Sequence, residues 1–291
     1  MELTILQFFE NLRSDFATFF AIIFSLFGET LFLVVLICLI YWIFSKKLGE
    51  RLVIVSFSSM TLNGFLKNAV GRARPFVKGG VSRVEVDNAL ISTIDLAPYE
   101  SFPSGHSQMS AGLFFTGAFH FKKLWGWIVF PLLTLGVMWS RLYLGVHYPT
   151  DVLFGATLGI AFSIFWDFFF QTFEKKKRVI YYTFAGFALL SIVFSCILPS
   201  KSLIELCACA CAAAICLPIE NKFIDFKDAK GWKNKLFRAL IGIACVGLVF
   251  GLFSFLPFAF LEKWGWKFVK YFLTVTTASL VVPYLFKKLK I

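Results

Sequence analysis

Long apolar runs separated by short polar links dominate the chain. Several of these runs reach the roughly 20 residues that an α-helix needs to cross a bilayer. The pattern therefore predicts an all-α integral membrane protein, a helical bundle of about nine transmembrane spans. The predicted spans are residues 29–45, 51–70, 104–121, 124–143, 150–172, 179–198, 203–218, 239–261 and 268–286.

The first residues follow a different pattern from the spans. Ile5, Phe8 and Leu12 recur at helical spacing, whereas Glu2 and Glu10 occupy other positions. Such a segment predicts an amphipathic helix that lies on the membrane or dips into it. Met1-Glu2-Leu3 lacks the basic start of a cleavable signal peptide, so none is expected.

The polar content changes along the chain and suggests three regions. Residues 1–28 form the interfacial segment, residues 29–173 a core of about five spans, and residues 174–291 a four-span extension with little polar content. The division between core and extension is drawn near the basic run that follows Glu174.

Composition supports the membrane assignment and narrows the function. Hydrophobic residues make up 58% of the chain, which includes 39 Phe, against about 45–50% apolar residues in soluble domains. The net charge of +12 does not indicate nucleic-acid binding, because most Lys and Arg lie in short links between apolar runs. The seven cysteines lie in apolar or small-residue segments, where we expect them to pack helices together rather than to bind a metal.

Basic residues alternate between links and predict the orientation of the spans. Cytoplasmic loops carry an excess of Lys and Arg, so the basic links are assigned to the cytoplasm and residues 72–103 and 141–149 to the outer face. The basic links are 46–51, 122–123, 175–178, 222–238 and 287–290.

Three cations are predicted near the outer ends of spans. Lys67, Arg74 and Arg141 have few carboxylates nearby in the sequence. Ionisable groups at a membrane are costly unless they are paired, so a bound phosphate would account for all three. Snorkelling to lipid headgroups is the alternative, and it suits Lys67 better than it suits the three together.

Two histidines accompany these cations. Ser104-Gly105-His106 opens a span, and a helix N-terminus can bind an anion, although Ser104 could equally be a simple helix cap. Asp151 follows His147 by four residues, a spacing at which a carboxylate can orient an imidazole for attack. The alternative is a structural His147 beside an acidic first helical turn. His120, at the opposite face, is taken as structural.

Together these blocks meet the needs of phosphoryl transfer through a covalent phosphohistidine. They closely resemble the signature of the type 2 phosphatidic acid phosphatase superfamily over roughly residues 28–172. That signature is Lys, six residues, Arg-Pro; then Pro-Ser-Gly-His; then Ser-Arg, five residues, His, three residues, Asp. The sequence contains Lys67 to Pro75, Pro103 to His106, and Ser140 to Asp151 at these spacings.

The resemblance implies a role for each residue. His147 would attack phosphorus, Asp151 would orient it, and His106 would protonate the leaving group. Phosphate would be held by Lys67, Arg74, Ser104, Gly105 and Arg141. The expected activity is hydrolysis of a lipid phosphate or pyrophosphate monoester at the outer membrane face, without a metal or other cofactor and with a bell-shaped pH dependence.

Two other functions fit parts of the sequence. A lipid phosphotransferase would form the same phosphohistidine but pass the phosphoryl group to an acceptor other than water. A transporter or flippase would use the many spans, yet the extension holds few charged residues within its runs. The expected partners are a lipid phosphate and membrane lipids, with no nucleic acid, and the expected location is the cell (inner) membrane with the site facing the outside or periplasm.

Overall fold

The described residues form helices joined by loops. The structure is a computed structural model that describes residues 1–86, 91–94, 96–255 and 263–291. The helices are α1 (Glu2–Asn11), α2 (Asp15–Leu26), α3 (Thr30–Leu39), α4 (Lys46–Val70), α5 (Pro75–Lys78), α6 (Gly105–Phe121), α7 (Leu124–Tyr143), α8 (Pro149–Thr172), α9 (Lys177–Ile197), α10 (Lys201–Ile219), α11 (Trp232–Phe255), α12 (Lys263–Thr276) and α13 (Val282–Leu289). Single π-helical turns extend α3 (Ile40–Phe44) and α10 (Glu220–Ile224), and a third joins α12 to α13 (Thr277–Val281).

Six helical segments of the described chain are long and apolar enough to cross a membrane. A seventh candidate is the pair Asp15–Leu26 and Thr30–Phe44, which is bent by 49°. The prediction of an all-α integral membrane protein is confirmed, whereas the count of nine spans is not. The six segments are Leu124–Tyr143, Pro149–Thr172, Lys177–Ile197, Lys201–Ile224, Trp232–Phe255 and Gly265–Leu289.

Three predicted spans account for most of the difference. The predicted span 29–45 is one arm of the bent pair. The predicted span 104–121 corresponds to α6, which has 17 residues and is short for a span. The predicted span 51–70 lies in α4, where a run of hydroxyl and amide side chains lowers the mean hydropathy. The predicted span 239–261 continues into residues 256–261, which lie outside the described part of the chain. The interfacial location of the N-terminal segment stays a prediction.

The helices group into two compact units. The first unit comprises Met1–Val35 and Leu62–Asp167, and the second comprises Leu36–Thr61 and Phe168–Ile291. Every residue predicted to carry chemistry belongs to the first unit. The proposed regional boundaries near residues 28 and 174 stay predictions.

Close helix packing in the first unit brings two helix starts together. A Cβ added at Gly155 of α8 would lie 2.5 Å from the Ser104 carbonyl oxygen, and one at Gly159 would lie 2.2 Å from the Gln108 carbonyl oxygen. Only glycine permits this approach of α8 to α6. The Ser104 backbone N–H donates to the Asp151 carbonyl oxygen at 3.0 Å, which joins the two N-termini directly.

The loop between α7 and α8 rests on a buried apolar cluster. Tyr143, Leu144 and Val146 pack there with Ala21 of α2 and Ile91. Gly145 has a φ of 72°, and a Cβ added to it would meet the Ser82 carbonyl oxygen at 2.4 Å. The loop therefore has little freedom to change shape, and it is the segment that carries His147.

The second unit has its own polar anchors. The Trp42 indole N–H donates to the Ala278 carbonyl oxygen at 2.9 Å. Lys46 pairs with the buried Glu220 at 2.8 Å, and the Tyr181 hydroxyl donates to Glu50 at 2.6 Å. Buried charges that are paired in this way fix the packing of this unit.

Candidate active site

His147 is almost fully buried in the loop that precedes α8, with 2% of its surface exposed. Its Nε2 lies 3.2 Å from Nη1 of Arg74, and its Nδ1 lies 3.6 Å from Oδ2 of Asp151. Because a guanidinium can only donate, Nε2 is the acceptor nitrogen of a neutral ring and Nδ1 carries the proton. Burial, followed by the charges of Arg74 and Arg141, holds the pKa of His147 well below its usual value.

Asp151 is also buried, and three donors hold its carboxylate. Arg72 donates to Oδ1 at 2.6 Å, whereas the Ser101 hydroxyl and the Tyr148 backbone N–H donate to Oδ2 at 2.6 and 2.9 Å. Nδ1 of His147 and Oδ2 of Asp151 are 3.6 Å apart, longer than the hydrogen bond that we expected, and Oδ2 already accepts two hydrogen bonds.

Besides the contact of Arg74 with His147, the three predicted cations donate to neutral oxygens among the described residues. Arg74 donates to the carbonyls of Ala97 (2.8 Å) and Val146 (2.9 Å). Arg141 donates to the Ser25 hydroxyl at 2.6 Å, and Lys67 donates to the Glu100 carbonyl at 3.2 Å.

Burial beside a second cation disfavours the charged form of Arg74. Arg74 is 3% exposed, and burial together with the charge of Arg141 lowers its pKa to about 10. The Nε atom of Arg141 is buried and has no hydrogen-bond partner among the described residues. A bound anion would stabilise this group of buried cations, so the arrangement favours a phosphate.

Ser104 and Gly105 form the start of α6 beside these cations. The Ser104 hydroxyl accepts hydrogen bonds from the backbone and the side chain of Ser107, so it caps the helix as the simpler prediction described. A Cβ added at Gly105 would lie 4.0 Å from Cε of Lys67, which places Gly105 beside the lysine without requiring a glycine there.

His106 has a carboxylate partner that the sequence pattern did not reveal. Its Nε2 lies 2.8 Å from Oε1 of Glu29, at the break between α2 and α3. Gly28 makes this approach possible, since an added Cβ would lie 2.9 Å from the His106 Cβ. The structure thus gives each histidine of the site a different carboxylate.

Sequence reasoning missed Glu29, Arg72 and Ser101. Glu29 is an acidic residue isolated between two apolar segments, and that isolation was the available signal. Arg72 lies within the same basic block as Arg74, but the signature spacing includes only the second arginine. Ser101 precedes the Pro-Ser-Gly-His block and had no distinguishing feature.

Two family models match the chain. The model described as "PAP2 superfamily" matches residues 50–178, which include every predicted site residue. The model described as "PAP2 superfamily phosphatase, transmembrane extension" matches residues 204–291. The chain belongs to the PAP2 superfamily. The catalytic signature does not extend to the C-terminal helices. The second match shows that these helices resemble a transmembrane extension of phosphatases in this superfamily.

Named relatives cover parts of the chain. The bacitracin transport permease protein BcrC of Bacillus licheniformis is 26% identical over 55% of the chain and 77% of its own length. The lipid A 4'-phosphatase of Bacteroides thetaiotaomicron is 29% identical over 53% of the chain and 70% of its own length. The undecaprenyl-diphosphatase of Sulfolobus acidocaldarius is 31% identical over 40% of the chain and 52% of its own length.

One solved structure also matches. The crystal structure of Aquifex aeolicus LpxE is 25% identical, with a TM-score of 0.46 over 56% of the chain and 93% of that structure. The family and sequence matches confirm the predicted superfamily and the predicted enzyme class, a lipid phosphate phosphatase.

Proposed function

We propose that the protein hydrolyses a lipid phosphate or pyrophosphate at the outer membrane face through a phosphohistidine on His147. One observation carries the proposal: Nε2 of a buried, neutral His147 lies 3.2 Å from Arg74, within a group of cations whose described hydrogen-bond partners are all uncharged. A phosphoryl group placed there would meet a nucleophile and its charge stabilisation together.

The chemistry proceeds in two steps. In the first, the Nε2 lone pair of His147 forms a bond to phosphorus while the bond from phosphorus to the leaving oxygen breaks. His106 donates a proton to that oxygen, and Glu29 stabilises the imidazolium that donates it. In the second, water gives its proton to His106 and attacks phosphorus, which breaks the N–P bond and releases inorganic phosphate and neutral His147.

Charge stabilisation comes from Lys67, Arg74 and Arg141 and from the N-terminus of α6 at Gly105. The transferred phosphoryl group spreads negative charge over its equatorial oxygens, so donors aimed at those oxygens lower the barrier. A hydrogen bond to a charged group is worth about 1.5–3 kcal/mol, so loss of one cation would slow the reaction roughly 10- to 100-fold.

The substrate class follows from the relatives and from the position of the site. The names of two relatives point to lipid A and undecaprenyl diphosphate as their substrates, and both are lipids that carry phosphate groups. The site residues lie at helix ends, where a headgroup could reach them while its tail stays in lipid. We therefore propose a membrane-anchored phosphate or pyrophosphate ester as the substrate.

The test is phosphate release from a panel of lipid phosphates in detergent, with no acceptor other than water. Wild type should release phosphate, and His147→Ala should release none above background. His120→Ala is the matched control, because His120 lies at the opposite end of α6 and should retain activity. Equal release by His147→Ala and wild type would refute the nucleophile, and transfer only to an added acceptor would favour a phosphotransferase.

A second measurement captures the intermediate. Brief exposure to substrate with a radiolabelled phosphate, followed by an alkaline quench, should leave label on wild type, because phosphohistidine survives alkali but not acid. His147→Ala should carry no label. Sidedness is tested with a short-chain, membrane-impermeant substrate, which right-side-out vesicles should hydrolyse and sealed inverted vesicles should not.

A further inference from the structure

Arg72 lies between the N-terminal helix and the candidate catalytic loop. One of its terminal nitrogens donates to Asp151 (2.6 Å) and to the Thr150 hydroxyl (2.7 Å), and the other donates to Glu2 of α1 at 2.6 Å. Its guanidinium carbon lies 4.0 Å from the centre of the Tyr148 ring. The described partners of the Arg72 side chain thus belong to α1 or to the segment that follows His147.

Arg72 differs from the phosphate-binding cations in its partners. Lys67, Arg74 and Arg141 donate to neutral oxygens, whereas Arg72 forms ion pairs with two carboxylates, those of Asp151 and Glu2. Two carboxylates more than neutralise one guanidinium, so Arg72 adds no surplus positive charge for a phosphate. Its fixed, planar set of donors instead holds the Asp151 carboxylate in one orientation.

Helix α1 is itself attached to the site by its polar face. Gln7 donates to the Gly80 carbonyl at 3.1 Å, and Glu10 accepts from the Ser82 backbone N–H at 2.9 Å. Glu2 adds a second direct contact, since it accepts from the Thr150 hydroxyl at 2.6 Å. On the other side of α1, Phe8 and Leu12 are exposed, which suits contact with lipid.

We propose that Glu2 of α1 and Arg72 are positioning residues for the reaction, which makes the N-terminal helix a working part of the active site. Glu2 holds Arg72, and Arg72 holds Asp151. The Asp151 carboxylate, 3.6 Å from Nδ1 of His147, attracts that N–H and so orients the ring with Nε2 toward phosphorus. The inference rests on the proposed role of His147 and deepens it.

The experiment compares Arg72→Ala, Arg72→Lys and Glu2→Gln in detergent, with kcat and KM measured separately. Arg72→Ala should lower kcat by about 10- to 100-fold, as the loss of an orienting partner does, with little change in KM because the phosphate-binding cations remain. Arg72→Lys should recover part of kcat, since a lysine keeps the charge but not the two-pronged geometry.

Glu2→Gln should lower kcat about two- to fivefold, because both side chains of its pair with Arg72 are partly exposed. The double variant Glu2→Gln/Arg72→Ala should match Arg72→Ala alone, since Glu2 acts through the arginine. Glu10→Gln is the control on the same helix: it also weakens the attachment of α1 but does not contact Asp151, and its kcat should stay near wild type.

Two results would overturn the inference. If Arg72→Ala raises KM and leaves kcat unchanged, Arg72 is a substrate ligand rather than a positioning residue. If the effects of Glu2→Gln and Arg72→Ala multiply, Glu2 does not act through Arg72. Thermal unfolding of each variant in detergent separates both from loss of folding, and the His147→Ala assay tests the proposed function independently.

Discussion

Replacing Glu29 with glutamine removes the charge beside His106 and changes little else. Glu29 Oε1 lies 2.8 Å from Nε2 of His106, and the two side chains are 18% and 19% exposed. A glutamine has the same shape and keeps an oxygen that can accept this hydrogen bond. The substitution therefore tests the charge of the carboxylate, which would stabilise the imidazolium if His106 is the general acid.

The magnitude follows from the difference between a charged and a neutral hydrogen bond. A hydrogen bond to a charged group contributes about 1.5–3 kcal/mol and a neutral one about 1 kcal/mol. The loss of about 0.5–2 kcal/mol at the transition state corresponds to a fall of about 2- to 30-fold in kcat/KM. The fall should be largest for substrates whose leaving group most needs a proton.

The assay compares two leaving groups. A natural lipid phosphate releases a poorly stabilised alkoxide, whereas a nitrophenyl phosphate ester releases a phenolate that departs without a proton. The kcat/KM of Glu29→Gln should fall for the lipid phosphate and stay within about twofold of wild type for the aryl ester. The ratio kcat/KM is the correct measure, because it reports the steps up to departure of the leaving group.

The control is His147→Ala, which should abolish both reactions because it removes the nucleophile. An equal fall for both leaving groups would refute the assignment of His106 and Glu29 as an acid pair. That result would mean that Glu29 supports the packing of α6 instead, and a matching drop in the thermal stability of the variant would then be expected.

Further outcomes follow from the same geometry. Burial and nearby cations hold the pKa of His147 well below its usual value near 6.5, and the neutral ring is the proposed nucleophile, so the acid limb of kcat/KM should lie below pH ~6.5. Arg74→Gln should move this limb to higher pH, whereas a wild-type limb at or above pH ~6.5 would contradict the burial argument. Gly155→Ala should destabilise the protein by about 1–3 kcal/mol in thermal unfolding, because its Cβ would lie 2.5 Å from the Ser104 carbonyl oxygen. Gly186→Ala is the control, and it should be neutral or slightly stabilising because the space around Gly186 is open. Ser101→Ala removes one donor to Asp151 and should lower kcat about tenfold with KM unchanged; a rise in KM alone would indicate substrate binding instead.

The candidate catalytic residues could be predicted because their cost is visible in the sequence. Charged and histidine side chains beside apolar runs are costly unless they are paired or functional, and the spacing of the three blocks indicated a function in phosphoryl transfer. His147 and Asp151 are four residues apart, so helical geometry alone predicts that their side chains lie close together.

The supporting residues could not be found in this way, because their partners are distant in the chain. Glu29 is 77 residues from His106, and Arg72 is 79 residues from Asp151 and 70 from Glu2. No periodicity joins such positions, since the contacts depend on how helices pack in three dimensions. The hydropathy pattern likewise did not predict the bend between α2 and α3, and this bend places Glu29 at the site.

The separate carboxylates support the proposal that the two histidines perform opposite tasks in one site. An acid and a base must differ in their surroundings, and a pair of titratable groups in contrasting environments reveals the assignment. Arg74 donates to the ring of His147, while the carboxylate nearest to that ring is already held by Arg72, Ser101 and the Tyr148 amide. His106 instead has the Glu29 carboxylate within hydrogen-bond distance. The nearby cation Arg74 favours the neutral form of the His147 ring, which has a lone pair on Nε2. The Glu29 carboxylate favours the protonated form of the His106 ring. These different partners support the proposal that His147 is the nucleophile and His106 the acid.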